Sequence, residues 1–111
     1  MADRPVRGSR TGRPIMALLD LLGRRWSLRI IWELRHGALT ARALRTACDE
    51  ASPTVLQARL AELRAAGLVD HTAGQGYGLT VRGREFMEAF MPLYDFAERL
   101  AGTVDDTTAT G

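Results

Sequence analysis

The stretch SPTVLQARLAELRAAGLV, residues 52–69, decides the fold. Ser52 followed by Pro53 marks a helix start: a serine hydroxyl caps free amides, and proline's fixed φ suits the first helical position. Leu56, Leu60 and Leu63 recur at i, i+4 and i+7, the stripe of a helix that faces a core. The opposite face carries Thr54, Ala58, Ala61 and Ala65, with Gln57 on one flank and Arg59 on the other shoulder. Small residues on an outer face let a helix sit deep in a groove. The helix runs to about Ala66, and Gly67 supplies a left-handed stop.

Downstream, the period changes from helical to alternating. Leu68 to His71 and Tyr77 to Thr80 read as two short strands joined by the turn-forming Thr72-Ala73-Gly74-Gln75-Gly76. Thr80 then caps a last helix from Val81 to about Ala101, in which Pro92 frees the carbonyl of Glu88 and predicts a kink. Upstream, Pro14 starts a first helix with Ile15, Leu18, Leu19 and Leu22 at helical spacing, ended by Gly23. A second helix covers Trp26 to Arg35 and stops at Gly37. Ala38-Leu39-Thr40 is long enough only for a bridge, and Ala41 to Cys48 makes a short third helix.

The chain has 111 residues, one domain's worth, with a flexible Arg-rich arm at 1–13, a fold at 14–102 and a disordered tail at 103–111. All 15 basic residues are arginine. The arm carries Arg4, Arg7, Arg10 and Arg13 against Asp3, for +3. Residues 24–64 carry Arg24, Arg25, Arg29, Arg35, Arg42, Arg45, Arg59 and Arg64 against Glu33, Asp49, Glu50 and Glu62, for +4. Residues 85–106 carry six acids against Arg99, for −5. One half of the domain attracts a polyanion and the other does not. No apolar run is long enough to span a membrane, no secretory leader is readable, and a cytoplasmic protein is expected. The lone Cys48 excludes an internal disulfide and a multi-cysteine zinc site; it reads as a buried core thiol. His36 and His71 stand in separate segments, and no nucleophile motif, phosphate loop or dinucleotide fingerprint is present, so neither an enzyme nor a metal or cofactor site is expected.

Helix, helix, short helix, turn, capped helix and glycine-tipped hairpin is the plan of a winged helix-turn-helix: mainly α, with five helices and a wing sheet of two to three short strands. The chain resembles the HxlR-type winged-helix transcription regulators, relatives of the MarR group, over about residues 13–101. Leu22-Gly23-Arg24-Arg25-Trp26 is similar to that family's I-G-G-K-W. Ile30-Ile31, Leu34 and Gly37 match its I-L-x-x-L-x-x-G, and Leu44 the last position of its R-F-x-E-L. Ser52, Leu56, Arg59-Leu60, Leu63 and Gly67-Leu68-Val69 follow its S-x-x-x-L-x-x-R-L-x-x-L-x-x-x-G-L-V. Tyr77 to Gly83 matches Y-x-L-T-x-x-G. The chain departs from the family in four places. Arg13 stands where many members carry a cysteine before Pro14, which excludes a cysteine switch there. Thr40-Ala41-Arg42-Ala43-Leu44 replaces R-F-x-E-L, the wing is shorter, and His71 stands where arginine is common.

The expected function is a sequence-specific, DNA-binding transcription regulator, a repressor that binds a pseudo-palindromic operator as a homodimer under small-molecule control. Thr54, Gln57, Ala58 and Arg59 read or approach bases. Ser52, Pro53, Arg24, Arg25, Arg42, Arg45 and Arg64 are phosphate candidates, with Gln75 and Tyr77 on the wing. The last helix carries two apolar stripes, Phe86, Phe90, Leu93, Ala97 and Leu100 beside Met87, Met91 and Tyr94. One suffices for a core; the second, with Ile15, Met16 and Leu19, predicts a dimer surface, which the resemblance also implies. Met16, Trp26, Trp32, Met87, Met91 and Tyr94 are candidates to line a pocket for an apolar or aromatic effector. The alternative is the same fold used as a small-molecule-binding or protein-interaction module with little DNA binding.

Overall fold

The computed structural model describes residues 13–110, with side chains described for residues 13–102. Residues 1–12 of the expected arm lie outside the described residues. The elements run α1 (Pro14–Leu22), α2 (Ser27–Glu33), α3 (Ala41–Ala47), α4 (Pro53–Ala65), β1 (Val69–Thr72), β2 (Gly76–Leu79) and α5 (Val81–Thr110). The strands form a two-stranded antiparallel sheet pairing Val69 with Leu79 and Thr72 with Gly76. Leu39 adds a bridge to Tyr77, with amide-to-carbonyl bonds of 2.9 and 2.8 Å in the two directions. This is a winged helix-turn-helix.

The core gathers one apolar face from each central element. Ile30, Ile31 and Leu34 from α2 and its end meet Leu44 and Cys48, the Leu56–Leu60–Leu63 stripe of α4, Leu68 and Val69 at the hairpin, and Met87 of α5. α4 terminates as its sequence dictates. Gly67 takes φ 82°, the Leu68 amide bonds the Leu63 carbonyl at 3.0 Å, and the Gly67 amide bonds that of Arg64 at 2.9 Å. That pair of bonds satisfies the last carbonyls and sends the chain into β1. Thr80 then joins two helices. Its Oγ1 accepts from the Gly83 amide at 3.0 Å, capping α5, and donates to the Gly67 carbonyl at 2.6 Å.

Four expectations shift. Ser52 occupies the N-cap of α4, but its hydroxyl makes no capping bond. Trp26 lies outside α2 with φ 77°, a left-handed conformation that is an outlier for a bulky side chain. Both strands sit one residue nearer the turn than their patterns suggest, at Val69–Thr72 rather than Leu68–His71 and at Gly76–Leu79 rather than Tyr77–Thr80. α5 continues through Gly102 to Thr110 rather than ending near Ala101, across the stretch read as a tail, and stays helical at Pro92. Among the described residues, no helix is long and apolar enough to cross a membrane.

Candidate nucleic-acid interface

The helix-turn-helix is α3, a tight turn and α4. Thr40 opens α3 by accepting the Ala43 amide on its hydroxyl at 3.1 Å. Cys48 is fully buried beneath the turn; burial pushes its thiol pKa up, against a smaller lowering by the Arg29 charge. Packing of Leu56, Leu60 and Leu63 inward fixes which side of α4 faces out. Ser52, Pro53, Thr54, Gln57, Ala61, Arg64 and Ala65 are exposed on it, and Ala58 is half-buried. That face is a strip of small and uncharged polar side chains with Arg64 at its far end. Arg42 is exposed on α3 and lines, with Pro53 and Gln57, the groove between the two helices.

The wing stands beside the same face. The Tyr77 hydroxyl donates to Gln57 Oε1 at 3.5 Å, and the rings of His71 and Tyr77, paired across the strands, are 4.7 Å apart. Gln75 is exposed in the turn between the strands. Arg42, Gln57 and Tyr77 are thus brought together, with Thr54 and Arg64 exposed along the same helix as Gln57, whereas Gln75 lines a groove beside the end of α2 and the start of α5. His71 is a neighbour outside the contact residues expected from the sequence, although its position is one where the resembled family commonly carries arginine.

Three of the expected contact arginines are engaged within the protein. Arg59 is only 20% exposed at its side chain and pairs through Nη1 with Glu62 Oε1 at 3.4 Å. Glu62 Oε2 in turn holds Arg24 Nη1 at 3.3 Å, and Arg24 Nη2 reaches Asp20 at 3.8 Å. This chain of charges ties α1 to the inner shoulder of α4. Arg59, expected on the shoulder of α4 as a residue that reads or approaches bases, is thus turned toward Glu62. Arg45 spends its Nε on the Ala51 carbonyl at 2.9 Å. Arg25 is exposed, with its guanidinium 5.4 Å from the Trp26 ring.

The apolar surface lies elsewhere. Ile15, Met16 and Leu19 on α1 and Leu93, Phe96 and Leu100 on α5 are each at least 44% exposed. Phe96 completes the stripe at a spacing of three and four from its neighbours, a signal present in the sequence and passed over. Ala97 is exposed too, whereas Phe86, Phe90, Met91 and Tyr94 are half-buried. Met87, expected on the dimer surface and in the pocket, sits in the core at 8% exposure. Trp32 and Tyr94 are brought together, stacked at 4.8 Å, with Phe90 edge-on to Trp32 at 6.3 Å and the Arg35 guanidinium 3.8 Å from the Trp32 ring.

Comparison with known proteins gives the same picture. Residues 21–105 match the family model described as HxlR-like helix-turn-helix. A possible HxlR family transcriptional factor from Thermoplasma volcanium GSS1 is 30% identical, with a TM-score of 0.69 over 80% of this chain and 85% of that one. Quinone-bound YodB from B. subtilis is 26% identical, with a TM-score of 0.70 over 77% of this chain and 96% of that one. The reduced form of the same regulator gives 0.70 over 78% and 92%. No curated protein matches the chain.

Proposed function

Since the chain belongs to the HxlR-like helix-turn-helix family and is a DNA-binding transcription regulator, we propose that it is a repressor acting as a homodimer on a pseudo-palindromic operator. The observation that carries this reading is the single exposed strip of α4, bordered by Arg42 and Arg64 and joined to the wing through Tyr77 and Gln57. α4 enters the major groove. Gln57 donates or accepts at a base edge, Thr54 and Ala58 approach thymine methyls, and the small Ala61 allows close approach. Arg42, Arg64 and Arg25 neutralise phosphates, and the free amides behind Ser52 and Pro53 meet another at the helix N-terminus. Gln75 lies over the flanking backbone.

A second copy covers the apolar faces of α1 and α5. Two-fold symmetry then presents two α4 helices to successive major grooves, about 34–36 Å apart. A bound dimer would occlude a promoter. The quinone-bound form of YodB supports a small apolar or aromatic effector in this chain as well. Because Arg13 occupies the position before α1, such an effector would bind here without a cysteine at that place. The aromatic group of Trp32, Phe90 and Tyr94, adjoining the α5 face, is where it would act. Footprinting on DNA upstream of the protein's own gene tests the proposal. Two protected half-sites one helical turn apart are expected; a single uninterrupted patch with no symmetry would contradict the dimeric docking.

A further inference from the structure

The turn between α3 and α4 contains two consecutive left-handed residues, Asp49 at φ 57° and Glu50 at φ 59°. Neither is glycine, so each holds a conformation that L side chains resist. Two arginines close over them from different helices. Arg29 of α2 donates Nη2 to the Ala47 carbonyl at 2.6 Å and Nη1 to Asp49 Oδ2 at 3.3 Å, while Glu33 holds its Nε at 2.7 Å. Arg45 of α3 donates Nε to the Ala51 carbonyl at 2.9 Å and pairs Nη1 with Glu50 Oε1 at 3.5 Å. Each guanidinium thus grips one main-chain carbonyl at an edge of the turn and the carboxylate of one strained residue.

The far edge matters most. Ala51 precedes Ser52, the N-cap of α4, and Ser52 supplies no capping bond of its own. The entry of α4 is held at Ala51, whose amide bonds the Cys48 carbonyl at 3.1 Å and whose carbonyl takes the Arg45 side chain, with no side-chain bond from the cap residue. α4 extends 13 residues from that point, about 20 Å, so a small rotation at the turn moves the Thr54–Gln57–Ala61 strip against its target.

We propose that Arg29 and Arg45 form a clamp on the strained Asp49–Glu50 turn and are positioning residues for DNA binding, not phosphate contacts. The proposal rests on the regulator reading above. Relaxation of the turn would leave the core leucines in place and loosen the docking angle, so binding falls without loss of the fold.

The test compares operator binding of Arg45→Ala, alone and combined with Glu50→Gly, over a salt series, with thermal unfolding in parallel. Arg45→Ala is expected to weaken binding roughly tenfold, the scale of one lost charge-assisted hydrogen bond, with an unchanged slope of log K against log salt. Arg64→Ala, an exposed control, is expected to reduce that slope by about 0.9. Glu50→Gly removes one source of strain and should recover most of the binding and melting temperature lost in Arg45→Ala. A slope reduced by about 0.9 in Arg45→Ala would make that residue a phosphate contact and overturn the clamp. Equal losses with and without Glu50→Gly would also overturn it. If Arg45→Ala does not fold, Arg45→Gln, which keeps a donor for the Ala51 carbonyl and loses the charge, is read on the salt slope: an unchanged slope supports the clamp, and a fall of about 0.9 overturns it. Wild-type protein that ignores DNA would defeat the regulator reading; the clamp would then stand or fall on the melting comparison alone.

Discussion

Gln57 and Arg59 stand two positions apart on one helix and face different surroundings. Gln57 is exposed beside the wing, whereas Arg59 lies against Glu62 with its Nε buried and without a hydrogen-bond partner. Gln57→Ala is therefore expected to reduce discrimination between operator and single-base variants by roughly 1–3 kcal/mol with an unchanged melting temperature. Arg59→Ala is expected to leave that ratio intact and lower stability by about 1 kcal/mol, since its partner is only partly exposed. Fluorescence anisotropy on matched and mismatched duplexes, with thermal melts, checks both; loss of base discrimination in Arg59→Ala would put that side chain at the DNA after all. Cys48 gives a prediction in pH. Burial raises its pKa in the folded protein, so the folded state keeps its proton at a pH where the unfolded state gives it up. Its contribution to stability is complete below the unfolded thiol pKa of about 8.5 and is lost progressively above it. Cys48→Ala should flatten the alkaline part of a plot of unfolding free energy against pH, whatever its effect at neutrality. An identical alkaline slope in the variant would mean that other groups set it.

Elements whose signals are local were legible in the sequence. The leucine stripe of α4, the Gly67 stop and the Thr80 cap all follow from neighbours within a few residues or from simple turn chemistry. What escaped depends on distant partners. The Arg24–Glu62 pair joins residues 38 apart in sequence, and nothing near Arg59 announces that Glu62 will draw it inward. Trp26 escaped because a left-handed tryptophan, partly buried against the core, contradicts its own local preference. The core side of α5 was misjudged at Met87 for a similar reason: two adjacent apolar stripes do not say which one meets Ile30 and Leu63. At the junction of hairpin and α5, Gly83 lies against the Leu68 carbonyl, and an added Cβ would collide with that main-chain oxygen. Gly83→Ala is expected to destabilise the fold by about 1–3 kcal/mol, since the obstacle is backbone and cannot rotate away. Chemical denaturation measures it; a change below about 0.5 kcal/mol would show that α5 can lift off the hairpin at little cost.

Across the whole molecule, charge and apolar surface are separated. Eight arginines fall within residues 24–64, which include the helix-turn-helix, while the acids of residues 85–106 and the exposed Leu93, Phe96 and Leu100 belong to α5. Ile15, Leu19, Leu93, Phe96 and Leu100 stand in water, and they are the faces that the proposed second copy would cover. Leu19→Glu combined with Leu100→Glu is expected to convert a dimer to a monomer in sedimentation and to lower operator affinity steeply, because each half-site alone offers half the phosphate contacts. A monomeric wild-type protein would move the function of those faces elsewhere. The central claim, that this helix–wing unit reads DNA, is tested most directly by fluorescence anisotropy of labelled DNA from upstream of the protein's own gene, against a shuffled duplex, over a salt series. Preference for the native fragment that persists near physiological salt, with a steep linear fall in log K as salt rises, is the expected result. Equal binding to both duplexes that vanishes as salt rises, or no binding at all, would contradict it.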